Sequence, residues 1–199
     1  MIQNYFSTPI YKVKYDGDLT SLKSVAIPKI KELFSANNFE NFPNMMEGAL
    51  CSYSQIFNIE QWESLKPVSD VLKQHLDIYV NILNVVDNVE IAPNSTWVSY
   101  FPPNAYLNYH SHDLSGIATV FYLNKPLNSG NLKLKNNFNI WHHYKNSNNL
   151  EVVLDEEVVV EVEEGDIVMF PSFLSHGTER NLSTEDRIIV GKDFVFKKK

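Results

Sequence analysis

The sequence predicts a mainly β protein of the α+β class: a double-sheet roll of antiparallel strands with helices packed on one outer face. Three observations predict it. After Asp87-Asn88 the chain breaks into short alternating segments set off by turn residues, with no helical stretch interleaved. Before that point, two stretches carry apolar residues at three- and four-residue steps, the spacing of one helix face. Finally, 44% hydrophobic and 21% charged residues over 199 positions suit a soluble domain that can bury a core without disulfides or a structural metal.

In chain order, residues 5–15 alternate and are rich in β-branched and aromatic side chains, with Pro9 marking an edge position. Asp16-Gly17-Asp18 turns into a first helix for which Asp18 is the N-cap. Leu22, Val25 or Ala26, Ile30, Leu33 and Phe34 form its stripe, and Pro28 is expected to kink or split it. Residues 37–59 read as loop. A second helix over 60–84 carries Trp62, Leu65, Leu72, Leu76, Tyr79, Val80 and Leu83 on one face, with His75 a partly exposed helical residue. Strands are expected at 90–91, 96–101, 105–110, 117–123, 131–135, 150–154, 157–162, 167–170, 176–180 and 188–196. The clearest turns are Pro102-Pro103-Asn104, Asn128-Ser129-Gly130 and Glu164-Gly165-Asp166. Val158, Val160 and Val162 alternate inside the acidic run 155–166, which makes it a half-buried strand and not a cation site. One domain over 1–199 is expected, with 1–88 as support and 89–196 as the core.

A net charge of −7 gives no overall field to draw in nucleic acid, and Lys197-Lys198-Lys199 reads as a solvated, frayed end. The single cysteine, Cys51, excludes an internal disulfide, fits a reducing compartment and reads as a small buried residue. The start MIQNYFSTPIYKVKY has no basic-then-apolar signal pattern, and no apolar run approaches the roughly 18 to 20 residues that cross a bilayer. A cytoplasmic protein with no membrane partner is expected.

The stretch 104–124 holds His110 and His112 in alternation, followed by Asp113; His176 comes much later, behind Phe170-Pro171-Ser172. Tyr106, Asn108, His110 and His112 share one parity, so in a continuous strand they project to one face, and Asp113 points away unless the strand bulges. With His176 from a later strand, such a pair holds a metal ion inside the roll and leaves positions open for other ligands. His142 and His143, with Trp141 and Tyr144, read as an exposed loop at the pocket mouth.

These residues resemble the iron(II)- and 2-oxoglutarate-dependent oxygenase superfamily, most closely its short bacterial and phage members. Tyr100-Phe101-Pro102, His110 and the phrase 119–124 also resemble the prolyl-hydroxylase branch. The phrase 164–172, then His176 and Arg187, is similar to the superfamily's closing half. The resemblance covers about residues 96–196 and the opening Phe6-Ser7-Thr8-Pro9-Ile10-Tyr11. It implies a double-stranded β-helix core of jelly-roll or cupin type, with the N-terminal helices on one sheet. It also implies His110 and His176 as iron ligands, and Arg187 as the clamp on the distal carboxylate of 2-oxoglutarate, a task suited to a planar guanidinium fork. Tyr122 would face that same carboxylate, and Tyr100 would be a second pocket tyrosine.

The sequence departs from the family in one place. The family usually has Asp or Glu two residues after the first histidine, and this chain has His112. Either His112 completes an all-histidine face, which parity favours, or a bulge brings Asp113 into its place. The implied activity is a dioxygenase that uses Fe(II), 2-oxoglutarate and O2 to hydroxylate a C–H bond of a peptide, protein or small-molecule substrate, releasing succinate and CO2. Two alternatives remain open at this point: a non-catalytic cupin-type binding domain, and a three-histidine metal enzyme that does not use 2-oxoglutarate.

Overall fold

The computed structural model describes residues 8–35, 40–52, 63, 66–84, 88–112, 115–135 and 157–199. The expectations for Trp62, Leu65, Asp113, the 141–144 segment and the strand at 150–154 lie outside these residues. Strand β1 (Tyr11–Lys14) leads into helix α1 (Leu19–Ser35), and Asp18 caps it by accepting the Ser21 N–H at 3.0 Å. Pro28 does not break α1. It lies on the exposed face, so the carbonyl that loses its hydrogen bond faces solvent. The second helix is divided at His75 into α2 (Lys66–Gln74) and α3 (Leu76–Leu83). His75 is half-buried, within 3.1 Å of the Tyr11 hydroxyl through Nδ1.

The short strands β2 (Met45–Met46) and β3 (Leu50–Cys51) precede α2, and the roll follows α3. Strand β4 (Val89–Phe101) unites two of the expected strands, and β5 (Tyr106–Leu107) is shorter than expected. The remaining strands are β6 (Ile117–Asn124), β7 (Leu132–Lys135), β8 (Glu157–Val160), β9 (Asp166–Pro171), β10 (Ser175–Thr178) and β11 (Arg187–Lys198). The larger sheet runs β1-β9-β6-β11-β4-β3, all antiparallel; a smaller sheet runs β10-β7-β8, and β2 pairs with β5. The basic end is not frayed: β11 continues to Lys198, opposite Val89. The alternation expected of Val158, Val160 and Val162 is met only in part: Val158 is exposed like its neighbour Val159, Val160 is half-buried and Val162 is buried.

Period-two alternation on the large sheet sorts its side chains into two cores. Val98, Tyr100, Phe121, Met169, Val190 and Phe194 face the helices, where they meet Ala26, Ile30, Leu72 and Tyr79. Trp97, Phe101, Val120, Tyr122, Phe170 and Ile189 face the smaller sheet, where they meet Leu132 and Leu134. Truncating a fully buried member of the helix-facing core, such as Phe121 to Ala, costs about 3–5 kcal/mol. The fold is thus a mostly β double-stranded roll with helices on one sheet.

Candidate metal centre

The three histidines converge although they arise from separate segments. His110 and His176 form an antiparallel bridge, each backbone N–H donating to the other's carbonyl at 3.0 and 2.8 Å. The His112 N–H donates to the Ser172 carbonyl at 3.0 Å, which ties the end of the first segment to the β9–β10 turn. Backbone pairing, not side-chain chemistry, therefore sets the spacing. The close approach depends on Gly177: a Cβ there would lie 2.7 Å from the Leu107 carbonyl oxygen and 3.1 Å from the Asn108 carbonyl carbon.

The ring centroids are 4.2 Å apart for His110–His176, 4.9 Å for His112–His176 and 5.1 Å for His110–His112, and one ligand nitrogen from each lies within 4.8 Å of the others. Bonds of about 2.1 Å require nitrogens roughly 3.0–3.4 Å apart, so the rings need only draw in by an ångström or so. The tautomers suit such a site. His110 Nδ1 meets the Asn108 carbonyl at 3.1 Å, His176 Nδ1 the Leu174 carbonyl at 2.8 Å, and His112 Nδ1 a carboxylate oxygen of Asp193 at 2.9 Å. A carbonyl can only accept, so Nδ1 carries the proton in His110 and His176 and leaves Nε2 as a free donor. Burial, then the neighbouring imidazoles, holds His176 well below the usual histidine range. Burial and His112 lower His110 in the same direction. Both are therefore neutral at physiological pH, as ligation requires.

A cleft of about 400 Å³ opens onto His110 and His112, lined by Phe42, Pro43, Asn44, Met45, Cys51, Trp97, Leu107 and Asp193 among others. A narrower channel of about 30 Å³ continues past His176 and Gly177 to Tyr122 and Thr178. Behind Thr178, which lines this channel, Arg187 is fully buried. Its Nη1 donates to the carbonyls of Ser129 and Glu179, its Nη2 to Thr178 Oγ1 at 2.8 Å, and its guanidinium lies 4.4 Å over the Phe101 ring. Gly130 (φ 86°) makes room for it: a Cβ would stand 2.8 Å from the Arg180 and Glu179 carbonyls and 2.9 Å from Nη1. Burial pushes the Arg187 pKa down to about 10. The buried Tyr122 hydroxyl is raised by desolvation, partly countered by the Arg187 charge.

Among the described residues, the Tyr122 hydroxyl and the Arg187 Nε have no hydrogen-bond partner. Two buried donors left unpaired around a cation fit an anionic ligand that would satisfy both, such as a carboxylate.

Not every expected residue arrives here. Tyr100 lies on the opposite face of β4, stacked on Phe34 at a 4.5 Å centroid distance with its hydroxyl on Asp186. It belongs with Val98 by parity and cannot reach the channel. Two residues not singled out in the sequence do reach the site: Trp97, edge-on to His112 with ring centroids 5.6 Å apart, and Asp193. Parity was the available signal, since 187, 189, 191 and 193 share the inner face of β11.

Residues 95–193 match the family model described as "Putative 2OG-Fe(II) oxygenase". No curated protein sequence matches the chain. Among solved structures, a Pseudomonas putida prolyl-4-hydroxylase is similar at 16% identity and TM-score 0.64, covering 95% of this chain and 93% of its own. A Trichoplax adhaerens prolyl hydroxylase, solved with a hypoxia-inducible-factor peptide fragment, is similar at 14% identity and TM-score 0.64, covering 94% and 83%. HygX from Streptomyces hygroscopicus, solved with nickel and 2-oxoglutarate, is similar at 13% identity and TM-score 0.60, covering 94% and 83%. At these identities the likeness is one of fold, that of the double-stranded β-helix. Through residues 95–193, the chain is a member of the iron(II)- and 2-oxoglutarate-dependent oxygenase family.

Proposed function

We propose that the protein is an iron(II)- and 2-oxoglutarate-dependent dioxygenase that hydroxylates a C–H bond, with His110, His112 and His176 holding the metal through Nε2. The observation that carries this reading is the convergence of three imidazole nitrogens within 4.8 Å beside a channel lined by Tyr122, whose buried hydroxyl is unpaired among the described residues, with the unpaired Arg187 Nε behind Thr178. When bound, iron(II) supplies the redox chemistry by which 2-oxoglutarate and dioxygen yield succinate, CO2 and a hydroxylated product.

The chain's residues have definable tasks. The carbonyls of Asn108 and Leu174 fix the tautomers of His110 and His176, so no proton has to leave before the metal enters. Arg187 Nε and the Tyr122 hydroxyl would take the distal carboxylate of 2-oxoglutarate and aim its other end at the histidines. The channel is narrow for a five-carbon diacid, so its apolar lining, Val120, Leu132 and Ile189, would part as the ligand enters. Trp97 and Phe170 stand edge-on to His112 and His176 and keep water from their flanks. Phe42, Met45, Trp97 and Leu107 would hold a substrate whose reacting part is uncharged. The Trichoplax enzyme bound a peptide, and a HygX structure holds hygromycin B; a peptide segment and a small molecule both suit this cleft. The single buried cysteine is consistent with a cytoplasmic setting. No helix among the described residues is long and apolar enough to cross a membrane.

Aerobic incubation of iron-loaded protein with 2-oxoglutarate tests the reading. Succinate is expected even without substrate, and His176→Ala should abolish it. The absence of both succinate and a 2-oxoglutarate-dependent metal absorption band would overturn it. Iron binding without any response to 2-oxoglutarate would instead support a three-histidine site of another kind, a reading that His112 in place of a carboxylate keeps in view.

A further inference from the structure

Asp193 is a buried carboxylate, 1% exposed, on the inner face of β11. Its Oδ1 lies 2.9 Å from His112 Nδ1, and its Oδ2 accepts the Ser115 hydroxyl at 2.9 Å. Among the described residues it makes no ion pair with any lysine or arginine. A carboxylate taken out of water and given only an imidazole and a hydroxyl is costly unless a positive charge stands close by. Its partner, His112, is also one of three imidazole donors grouped around a point where a divalent cation would carry two charges that no coordinating carboxylate among those three offsets.

We propose that Asp193 is the positioning and charge-balancing residue of this metal face, acting through His112. The negative charge that would ordinarily reside on a coordinating carboxylate at position 112 is held one imidazole ring further out. Asp193 fixes the His112 ring with Nδ1 protonated, turns Nε2 toward His110 and His176, and makes His112 a more basic ligand. Ser115 holds the other oxygen, so the carboxylate cannot swing away. Strand alternation directs this side chain: β11 pairs in regular register with β6 through residues 192–194, so Asp193 turns to the inner face while Lys192 bonds Ser69 and Thr96 beneath α2.

The inference rests on the three-histidine reading proposed above, and the experiment separates the two. Co(II) and Zn(II) affinities are measured by chelator competition for wild type, Asp193→Asn, Asp193→Ala, His112→Ala and the double variant His112→Ala/Asp193→Asn. Asp193→Asn keeps an oxygen facing Nδ1 but removes the charge, and should weaken binding about 10- to 100-fold. It should also shift the Co(II) visible band and leave the metal-free protein at least as stable as wild type. Asp193→Ala should weaken binding at least as much. On the His112→Ala background the Asn substitution should cost less than about threefold, because the path to the metal is gone. Wild-type affinity within about threefold for Asp193→Asn would overturn this inference alone, as would an undiminished penalty on the His112→Ala background. Wild-type protein that holds neither ion would overturn both readings.

Discussion

Replacing Tyr122 with Phe should move two measurements in opposite directions. The hydroxyl is fully buried and has no partner among the described residues. An unsatisfied buried polar group costs about 1–3 kcal/mol, so its removal, with the ring kept in place, should stabilise the metal-free protein by roughly 1 kcal/mol. For a chain of this length that is about 2–4 °C in Tm. The same hydroxyl should lie on the 2-oxoglutarate carboxylate, where a hydrogen bond to a charged group contributes about 1.5–3 kcal/mol. Its loss should weaken 2-oxoglutarate binding about 10- to 150-fold. Urea unfolding of chelator-treated protein and calorimetric titration of 2-oxoglutarate into the anoxic iron(II) form give the two numbers. If the variant is less stable by about 1 kcal/mol, or binds 2-oxoglutarate within about twofold of wild type, the hydroxyl has another task and the carboxylate is not held there.

Arg187→Lys should raise the dissociation constant for 2-oxoglutarate at least about tenfold, since a point charge replaces the fork. In the wild type, affinity should stay flat through neutral pH and fall as pH rises through about 10, because burial lowers the Arg187 pKa and the ligand needs the cation. Gly177→Ala should cost about 1–3 kcal/mol by overpacking against the Leu107 and Asn108 backbone, and should loosen metal binding by separating His110 from His176. Metal-free protein should lose stability as pH falls below the ordinary histidine value of 6.5, since His176 and His110 are held lower in the fold and the unfolded chain takes up more protons. The slope in urea unfolding should approach about 1.4 kcal/mol per pH unit for each histidine, and His176→Asn should flatten it; a flat wild-type profile would contradict the burial described.

The roll was legible because its strands are short, alternate cleanly and end in turn residues. Asn128 and Gly130 take the positive φ angles that the Asn128-Ser129-Gly130 turn implied. The histidine pair was legible by parity, and both rings do face one point. Helix details were less legible, since a proline on a solvent face is tolerated and a break at His75 leaves the apolar stripe intact on both sides. Tyr100 was misplaced because a family phrase was read without its parity; Ser99 and Phe101, not Tyr100, share the inward face with Trp97. Asp193 was missed because Lys192-Asp193 looks like an exposed ion pair in one dimension. Strand alternation sends the two side chains to opposite faces of the sheet, a parity signal that was present in the sequence, but that the inner face at 193 lies beside the histidines is a tertiary fact.

The proposed face of three imidazoles, with no carboxylate among the described residues grouped with them, also bears on which metal the protein would acquire. Nitrogen donors of this kind bind zinc, nickel and copper at least as well as iron(II), in the order set by the metals themselves. A carboxylate in the ligand set would shift that balance toward harder ions, and here the carboxylate stands behind a ring. With such a ligand set, iron occupancy would be governed by metal supply more than by the pocket. Protein purified from a zinc- or nickel-rich medium would fold around the wrong ion, and the measured activity would report the culture as much as the chain.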